Sequence, residues 1–151
     1  MAQENSIIEL IDSDEYRVVF GVIGDDIHVV ANRILAIGLK AFGFRAVNLG
    51  THNTAEDFID AALEVEAHAV LVSSVNGEGE TWCFNFRQQF IDAGIPHIIL
   101  YAGGNLVVGD RKEDEVVTLF KSFGFDRVFF RQTDFETVFN LLKNDIKHGY
   151  S

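Results

Sequence analysis

Short apolar runs alternate with amphipathic stretches along almost the whole chain, and this alternation restricts the possible folds more than any other feature. Each run has the length and the β-branched or aromatic content of a buried strand. Runs buried on both faces of a sheet are typical of parallel strands. The predicted strands are Arg17 to Ile23, Phe44 to Leu49, Ala69 to Ser73, His97 to Tyr101 and Asp126 to Phe130.

The stretches between these strands have apolar residues at a spacing of three and four, which predicts helices with one buried face. Thr54 followed by Asp57 is a helix-start pattern. Gly43, Gly94 and Gly124 stand where three helices should end. The predicted helices are Val29 to Phe42, Thr54 to Glu66, Glu80 to Ala93, Arg111 to Phe123 and Asp134 to about His148.

Strands that alternate with helices in this way predict an α/β fold with a parallel sheet between two helical layers. Right-handed crossovers leave few topologies, and we expect a flavodoxin-like (Rossmann-like) three-layer sandwich with strand order 2-1-3-4-5. Residues 1–16 are predicted to be an N-terminal extension, and residues 17–151 a single domain.

Composition excludes several classes of function. The formal net charge is −11 over 151 residues, which argues against a nucleic-acid partner because phosphate binding needs a basic face. The single cysteine, Cys83, excludes an intramolecular disulfide and a thiolate metal cluster. No apolar stretch has the length of a membrane span, and no signal segment is visible, so we expect a soluble, cytoplasmic protein without membrane contact.

The first strand is followed directly by Gly24-Asp25-Asp26-Ile27-His28, the most informative loop of the chain. Residues two apart in an extended loop point the same way. Asp26 can therefore hydrogen-bond one ring nitrogen of His28 and leave the other free for a metal. A solvated histidine is the common alternative for such a short pattern.

Two glycine-rich loops should lie on the same sheet edge as this histidine, because ligands of such folds bind beyond the carboxyl ends of the strands. They span residues 73–80 and 103–109. Their glycines allow a large ligand to approach the backbone, although tight turns alone also need glycine. Neither the loop after the first strand nor residues 73–80 contain lysine or arginine, and no phosphate-binding glycine pattern is present, so a phosphate-dominated nucleotide site is not expected.

A phosphorelay receiver domain shares the predicted fold and has acidic residues after its first strand. Such a domain needs an aspartate at the end of strand 3 and a lysine at the end of strand 5. This chain has Ser73-Ser74 and Phe130-Arg131 at those places, so we set this alternative aside.

From about Val18 to Leu142 the chain resembles the cobalamin-binding family that carries an Asp-x-His-x-x-Gly signature. Within that family it looks most like the small subunits of glutamate mutase. The motifs that carry the resemblance are Gly-Val-Ile-Gly-x-Asp-x-His at 21–28, Val-Ser-Ser-x-x-Gly-x-Gly-Glu at 72–80, Gly-Gly-Asn-x-Val-Val-Gly at 103–109 and Gly-Phe-Asp-Arg-Val at 124–128. Ala31 and Gln132 stand where the family has glycine.

The resemblance implies a role for each matching residue. His28 would be the lower cobalt ligand, and Asp26 would hydrogen-bond its other ring nitrogen. Asp25, Ile27 and Val29 would border the corrin. The displaced nucleotide tail would enter a cleft between strands 1 and 3. The residues implied for the cleft and its surroundings are Ser73, Ser74, Val75, Gly103, Gly104, Asn105, Leu106, Val107 and Thr133.

The implied function is that of a cobalamin-binding small subunit of an adenosylcobalamin-dependent isomerase, most simply one that converts glutamate to 3-methylaspartate. The implied partner is a larger barrel subunit that binds the substrate. Two alternatives stay open. One is a corrinoid carrier or sensor without mutase activity. The other is a degenerate paralogue that binds a partner and no corrinoid, for which Ala31 and Gln132 are the only support.

Overall fold

The predicted alternation forms one five-stranded parallel sheet in a computed structural model of the chain, which describes residues 16–24, 30–74, 79–104, 106, 111–130 and 133–149. The strand order is β2-β1-β3-β4-β5, so the predicted topology is confirmed. The strands are β1 Arg17–Val22, β2 Arg45–Asn48, β3 Ala69–Ser74, β4 Ile99–Gly104 and β5 Arg127–Phe130.

Strand β4 differs most from its predicted bounds. It begins at Ile99 rather than His97, and it continues through Gly103 and Gly104, which were expected in the following loop. Glycine is a weak strand former. These two glycines are nevertheless held by neighbours on both sides, since β4 pairs with β3 and with β5 up to Gly104. Tertiary pairing has therefore overridden local propensity at this end of the strand.

The helices agree with the predicted pattern except in the middle of the chain. The predicted single helix from Glu80 to Ala93 is two helices, separated at Asn85, whose φ is 61°. Thr54 caps its helix as expected, accepting a hydrogen bond from the Asp57 N–H in a capping box. The helices are α1 Val30–Ala41, α2 Ala55–Val65, α3 Gly79–Cys83, α4 Phe86–Asp92, α5 Glu113–Ser122 and α6 Phe135–His148.

Two apolar clusters cover the two faces of the sheet. Helices α1 and α6 cover one face, which carries alternate strand residues such as Phe20 and Tyr101. Helices α2, α4 and α5 cover the other face, which carries Val19 and Leu100. The period-two alternation thus assigns each strand side chain to one helical layer.

The phenylalanine-rich last third of the chain serves mainly this core. Phe120, Phe123, Phe125 and Phe139 are buried, whereas Phe135 is 38% exposed. In the part of the chain that the structure describes, no helix is long and apolar enough to cross a bilayer.

Candidate functional site

The carboxyl ends of β1, β3 and β4 meet at one edge of the sheet. Val22 is level with Ser73, and Ser73 is level with Gly103. Strand β1 ends at Val22 and α1 begins at Val30, so the segment that contains His28 connects this edge to the first turn of α1. The predicted site residues that can be placed therefore lie at the edge where ligands of this fold bind.

The structure describes five of the proposed cofactor contacts besides Ser73. Ser74 and Gly104 end their strands, Gly103 precedes Gly104, Leu106 follows two residues later, and Thr133 donates its N–H to the Phe130 carbonyl at 2.9 Å. The other proposed residues lie outside the described residues. They are Asp25, Asp26, Ile27, His28, Val29, Val75, Asn105 and Val107.

The strand alternation places the described residues on different faces. Ser73 and Gly103 continue the face covered by α1 and α6, because they are in phase with Leu71 and Tyr101. Ser74 lies on the other face, where its Oγ would be 3.1 Å from a Cβ on Gly79. Leu106 is buried in the cluster of that other face. A cleft on the α1 face can thus use Ser73 and Gly103, but not Ser74 or Leu106.

Gly104 is needed where β3 and β4 approach each other. Its φ is +106°, and a Cβ added there would lie 2.2 Å from the backbone oxygen of Ser74. Any side chain would push the two strand ends apart. The narrow contact at Gly104 fixes the spacing of the two strand ends from which residues 75–78 and 105–110 depart.

Asn53 anchors the end of β1 and was not singled out from the sequence. Its buried side-chain N–H groups donate to the carbonyls of Val22, Leu49 and Gly50 at 3.0–3.3 Å. Its backbone carbonyl accepts from the Gly24 N–H at 2.7 Å. These bonds hold the residue that immediately precedes the Asp25 to Val29 segment.

The indole of Trp82, a half-buried residue of α3, packs against Gly24. A Cβ on Gly24 would lie 2.5 Å from its Cδ1 and 2.6 Å from its Nε1. The neighbouring Cys83 is 1% exposed and therefore unavailable for contact with a partner, and burial raises the pKa of its thiol.

Two side-chain amides, those of Asn32 and Asn48, are hydrogen-bonded to each other at the first turn of α1. The Asn32 Nδ2 donates to Asn48 Oδ1 at 2.7 Å, and the Gly50 N–H donates to the same oxygen at 2.8 Å. Asn32 is 4% exposed. Its own Oδ1 is buried without a hydrogen-bond partner, the only such side-chain atom among the described residues. No sequence pattern marks this pair, because nothing local distinguishes Asn32 from a surface residue.

An ion pair links the segments that follow β3 and β4. Arg111 donates to the carboxylate of Glu80, and both side chains are more than two-fifths exposed. The charge of Glu80 is thus partly matched by Arg111, a contribution of at most about 1 kcal/mol at such exposure.

Within the described ranges, no three His, Cys, Asp or Glu side chains are grouped closely enough to hold a metal ion. His68 lies at the opposite end of β1, where its Nδ1 accepts the Arg17 N–H at 3.0 Å. Burial and the nearby Arg17 charge lower the pKa of His68. A structural role accounts for this histidine.

Comparison with protein families and curated proteins gives a coherent result. The family model for the B12 binding domain matches residues 16–134. The glutamate mutase sigma subunit of Carboxydothermus hydrogenoformans is 47% identical over 132 residues, which cover 87% of this chain and 96% of that protein.

Solved structures show how widely the fold is shared. The monomethylamine corrinoid protein of Methanosarcina barkeri superimposes with a TM-score of 0.66 at 17% identity, covering 95% of this chain and 66% of that one. The receiver domain of the response regulator NarL of Mycobacterium tuberculosis gives 0.63 at 12% identity, covering 89% of this chain and 98% of that one. Likeness at this level shows the fold alone.

Proposed function

Because this chain belongs to the B12 binding domain family and to the glutamate mutase sigma subunits, we propose that it is the cobalamin-binding subunit of a two-component glutamate mutase. The observation that carries the proposal is the 47% identity to a sigma subunit over 96% of that subunit's length. The family model spans residues 16–134, which include all five strands and the loops at the carboxyl edge.

We assign the lower cobalt ligand to His28 and its hydrogen-bonding partner to Asp26. The assignment rests on the Asp-x-His pattern and on where the segment is attached. The segment begins directly after Gly24, which is hydrogen-bonded to Asn53 and packed against Trp82. A carboxylate on the second ring nitrogen fixes the tautomer of a ligating histidine and raises its basicity. Asp25, Ile27 and Val29 would then border the corrin.

The described part of the edge fits a bulky cofactor tail on the α1 face. A Cβ on Gly103 would have nothing closer than the Phe129 carbonyl at 3.6 Å, so this position leaves room beside Ser73. The Asn32 Oδ1, which has no hydrogen-bond partner among the described residues, offers an acceptor on the same face. We propose that Ser73, Val75, Gly103 and Thr133 line this cleft.

We place Asn105 and Val107 near the cofactor because they belong to the motif at 103–109. Ser74, Gly104 and Leu106 lie on the opposite face and support this loop from there. In this arrangement Gly104 acts by spacing the strand ends, and Leu106 acts by anchoring its loop in the core. Their contribution to binding is therefore indirect.

Bound adenosylcobalamin would supply radical chemistry for the rearrangement of glutamate to 3-methylaspartate. The residues of this chain would ligate and orient the cofactor. The substrate would be bound by the larger catalytic subunit, which we propose to be a barrel that covers the exposed face of the cofactor and excludes water. We propose that the protein binds neither nucleic acid nor a membrane.

Reconstitution tests the proposal. The chain is mixed with the catalytic subunit of a glutamate mutase and adenosylcobalamin, and 3-methylaspartate formed from glutamate is measured. We expect turnover with the wild type and none with His28→Gly. Cobalamin binding without turnover would favour a corrinoid carrier, and absence of both would favour a paralogue that binds no corrinoid.

A further inference from the structure

Asn32 has a buried acceptor that no described residue of the chain uses. The residue is 4% exposed, and its Oδ1 is buried without a hydrogen-bond partner in the part of the chain that the structure describes. Buried polar atoms are nearly always hydrogen-bonded, so an exception in a ligand-binding fold calls for an explanation.

The identity of this atom as an oxygen follows from its neighbours. The Gly50 backbone N–H donates to Asn48 at 2.8 Å, so the accepting atom of that side chain must be Oδ1. The same oxygen lies 2.7 Å from the Asn32 amide, which must therefore present its NH₂ group there. The remaining Asn32 atom is then the carbonyl oxygen, and it can be satisfied only by a donor.

The position of this acceptor points to the cofactor cleft. Asn32 lies in the first turn of α1, directly after the segment that contains His28, and Asn48 ends β2 at the same sheet edge. Asn48 is level with Phe20 on the sheet face that α1 and α6 cover, and Ser73 and Gly103 continue that same face.

We propose that Asn32 Oδ1 accepts a hydrogen bond from bound cobalamin, which makes Asn32 a further cofactor-binding residue of this chain. The inference rests on the proposed function and deepens it. Cobalamin offers two kinds of donor, the N–H groups of its peripheral amides and the hydroxyl groups of its nucleotide ribose. The bond between Asn32 Nδ2 and Asn48 holds the acceptor in place before the cofactor arrives.

Asn32→Leu tests the proposal, because leucine has a similar volume and no acceptor. Binding of methylcobalamin is measured by equilibrium dialysis in the dark, and the melting temperature of the free protein by circular dichroism. We expect the Kd to rise about tenfold, the loss typical of one hydrogen bond. The melting temperature should change little, because the lost bond from Asn32 Nδ2 to Asn48 is offset by removal of an unpaired buried oxygen, and Asn48 Oδ1 keeps the Gly50 N–H.

Asn53→Leu is the matched control, since Asn53 is also a buried asparagine but uses its amide for three internal hydrogen bonds. Its melting temperature should fall. Asn32→Ala guards against a steric effect of leucine and should show the same rise in Kd. Methylcobinamide, which has the amides but no nucleotide, identifies the donor. Its affinity falls in the variant if an amide is the donor and is unchanged if the ribose is.

Equal methylcobalamin affinity in wild type and both Asn32 variants would overturn the inference. So would a fall in melting temperature as large as that of Asn53→Leu, because it would make Asn32 a structural residue. Failure of the wild type to bind methylcobalamin would instead contradict the proposed function.

Discussion

The Trp82 ring occupies the space that a side chain at Gly24 would need. A Cβ on Gly24 would lie 2.5 Å from Trp82 Cδ1, although the two residues are far apart in sequence. Gly24 also has a φ of +79°, which disfavours other residues independently. The close approach joins the end of β1 to α3, and the proposed cobalt-binding segment departs from this junction.

A double-mutant cycle with Gly24→Ala and Trp82→Ala measures the contact. Gly24→Ala alone should lower the free energy of unfolding by about 2–4 kcal/mol, since it combines backbone strain with a steric clash. In the Trp82→Ala background the clash is absent, and only about 1–2 kcal/mol should remain. Urea unfolding followed by circular dichroism gives these values. Additive effects would show that Trp82 does not restrict position 24.

Gly104→Ala should destabilise the protein by more than a positive φ alone explains. The added Cβ would meet the Ser74 backbone oxygen, which cannot rotate away. Gly94 is the matched control, because its φ is +91° and a Cβ there would have nothing within 4 Å. We expect Gly94→Ala to cost about 1 kcal/mol and Gly104→Ala at least twice as much. Equal losses of unfolding free energy would contradict the proposed role of Gly104 as a spacer.

Asp145 should contribute to stability in a pH-dependent way. Burial alone would raise the pKa of Asp145, but hydrogen bonds from Arg127 and Tyr101 outweigh burial and hold the pKa below its ordinary value. A carboxyl group with a lowered folded-state pKa stabilises the fold above its unfolded pKa. That contribution is lost as the pH falls through the folded pKa.

Asp145→Asn should therefore lower the unfolding free energy by about 2–4 kcal/mol at pH 7, because the Arg127 guanidinium loses its buried counter-charge. The difference from wild type should shrink as the pH falls well below 4, where the wild-type carboxylate is protonated. Urea unfolding between pH 2 and pH 7 tests this expectation, with the exposed Asp60→Asn as control. A difference independent of pH would mean that the charge of Asp145 is unimportant.

The strand order could be predicted from the sequence because the periods of the strands and helices are local and because the rule of right-handed crossovers leaves few topologies. The break at Asn85 could not be predicted in this way. Helical periodicity continues across it, and the break depends on the packing of Phe86 against Phe58, Phe90 and Phe125. For the same reason Gly103 and Gly104 were expected in a loop, since only pairing with β3 and β5 makes them strand residues.

The candidate site was predictable to the extent that it depends on motifs. The motif residues Ser73 and Gly103 were placed correctly at the carboxyl edge. Asn32 and Asn53 were missed because their partners, Asn48 and Val22, are brought close only by the fold. No local spacing marks a buried asparagine, so such residues become visible only in three dimensions.

The most direct test of the central proposal is the EPR spectrum of cob(II)alamin bound to the chain, recorded with natural-abundance and with nitrogen-15-labelled histidine. If His28 ligates cobalt, the superhyperfine triplet should become a doublet on labelling. The doublet should be absent from His28→Gly prepared with labelled histidine, and this variant should keep its circular dichroism spectrum because the residue precedes α1. A triplet unaffected by histidine labelling, or a spectrum identical to that of the free cofactor, would contradict the assignment of His28 as the cobalt ligand.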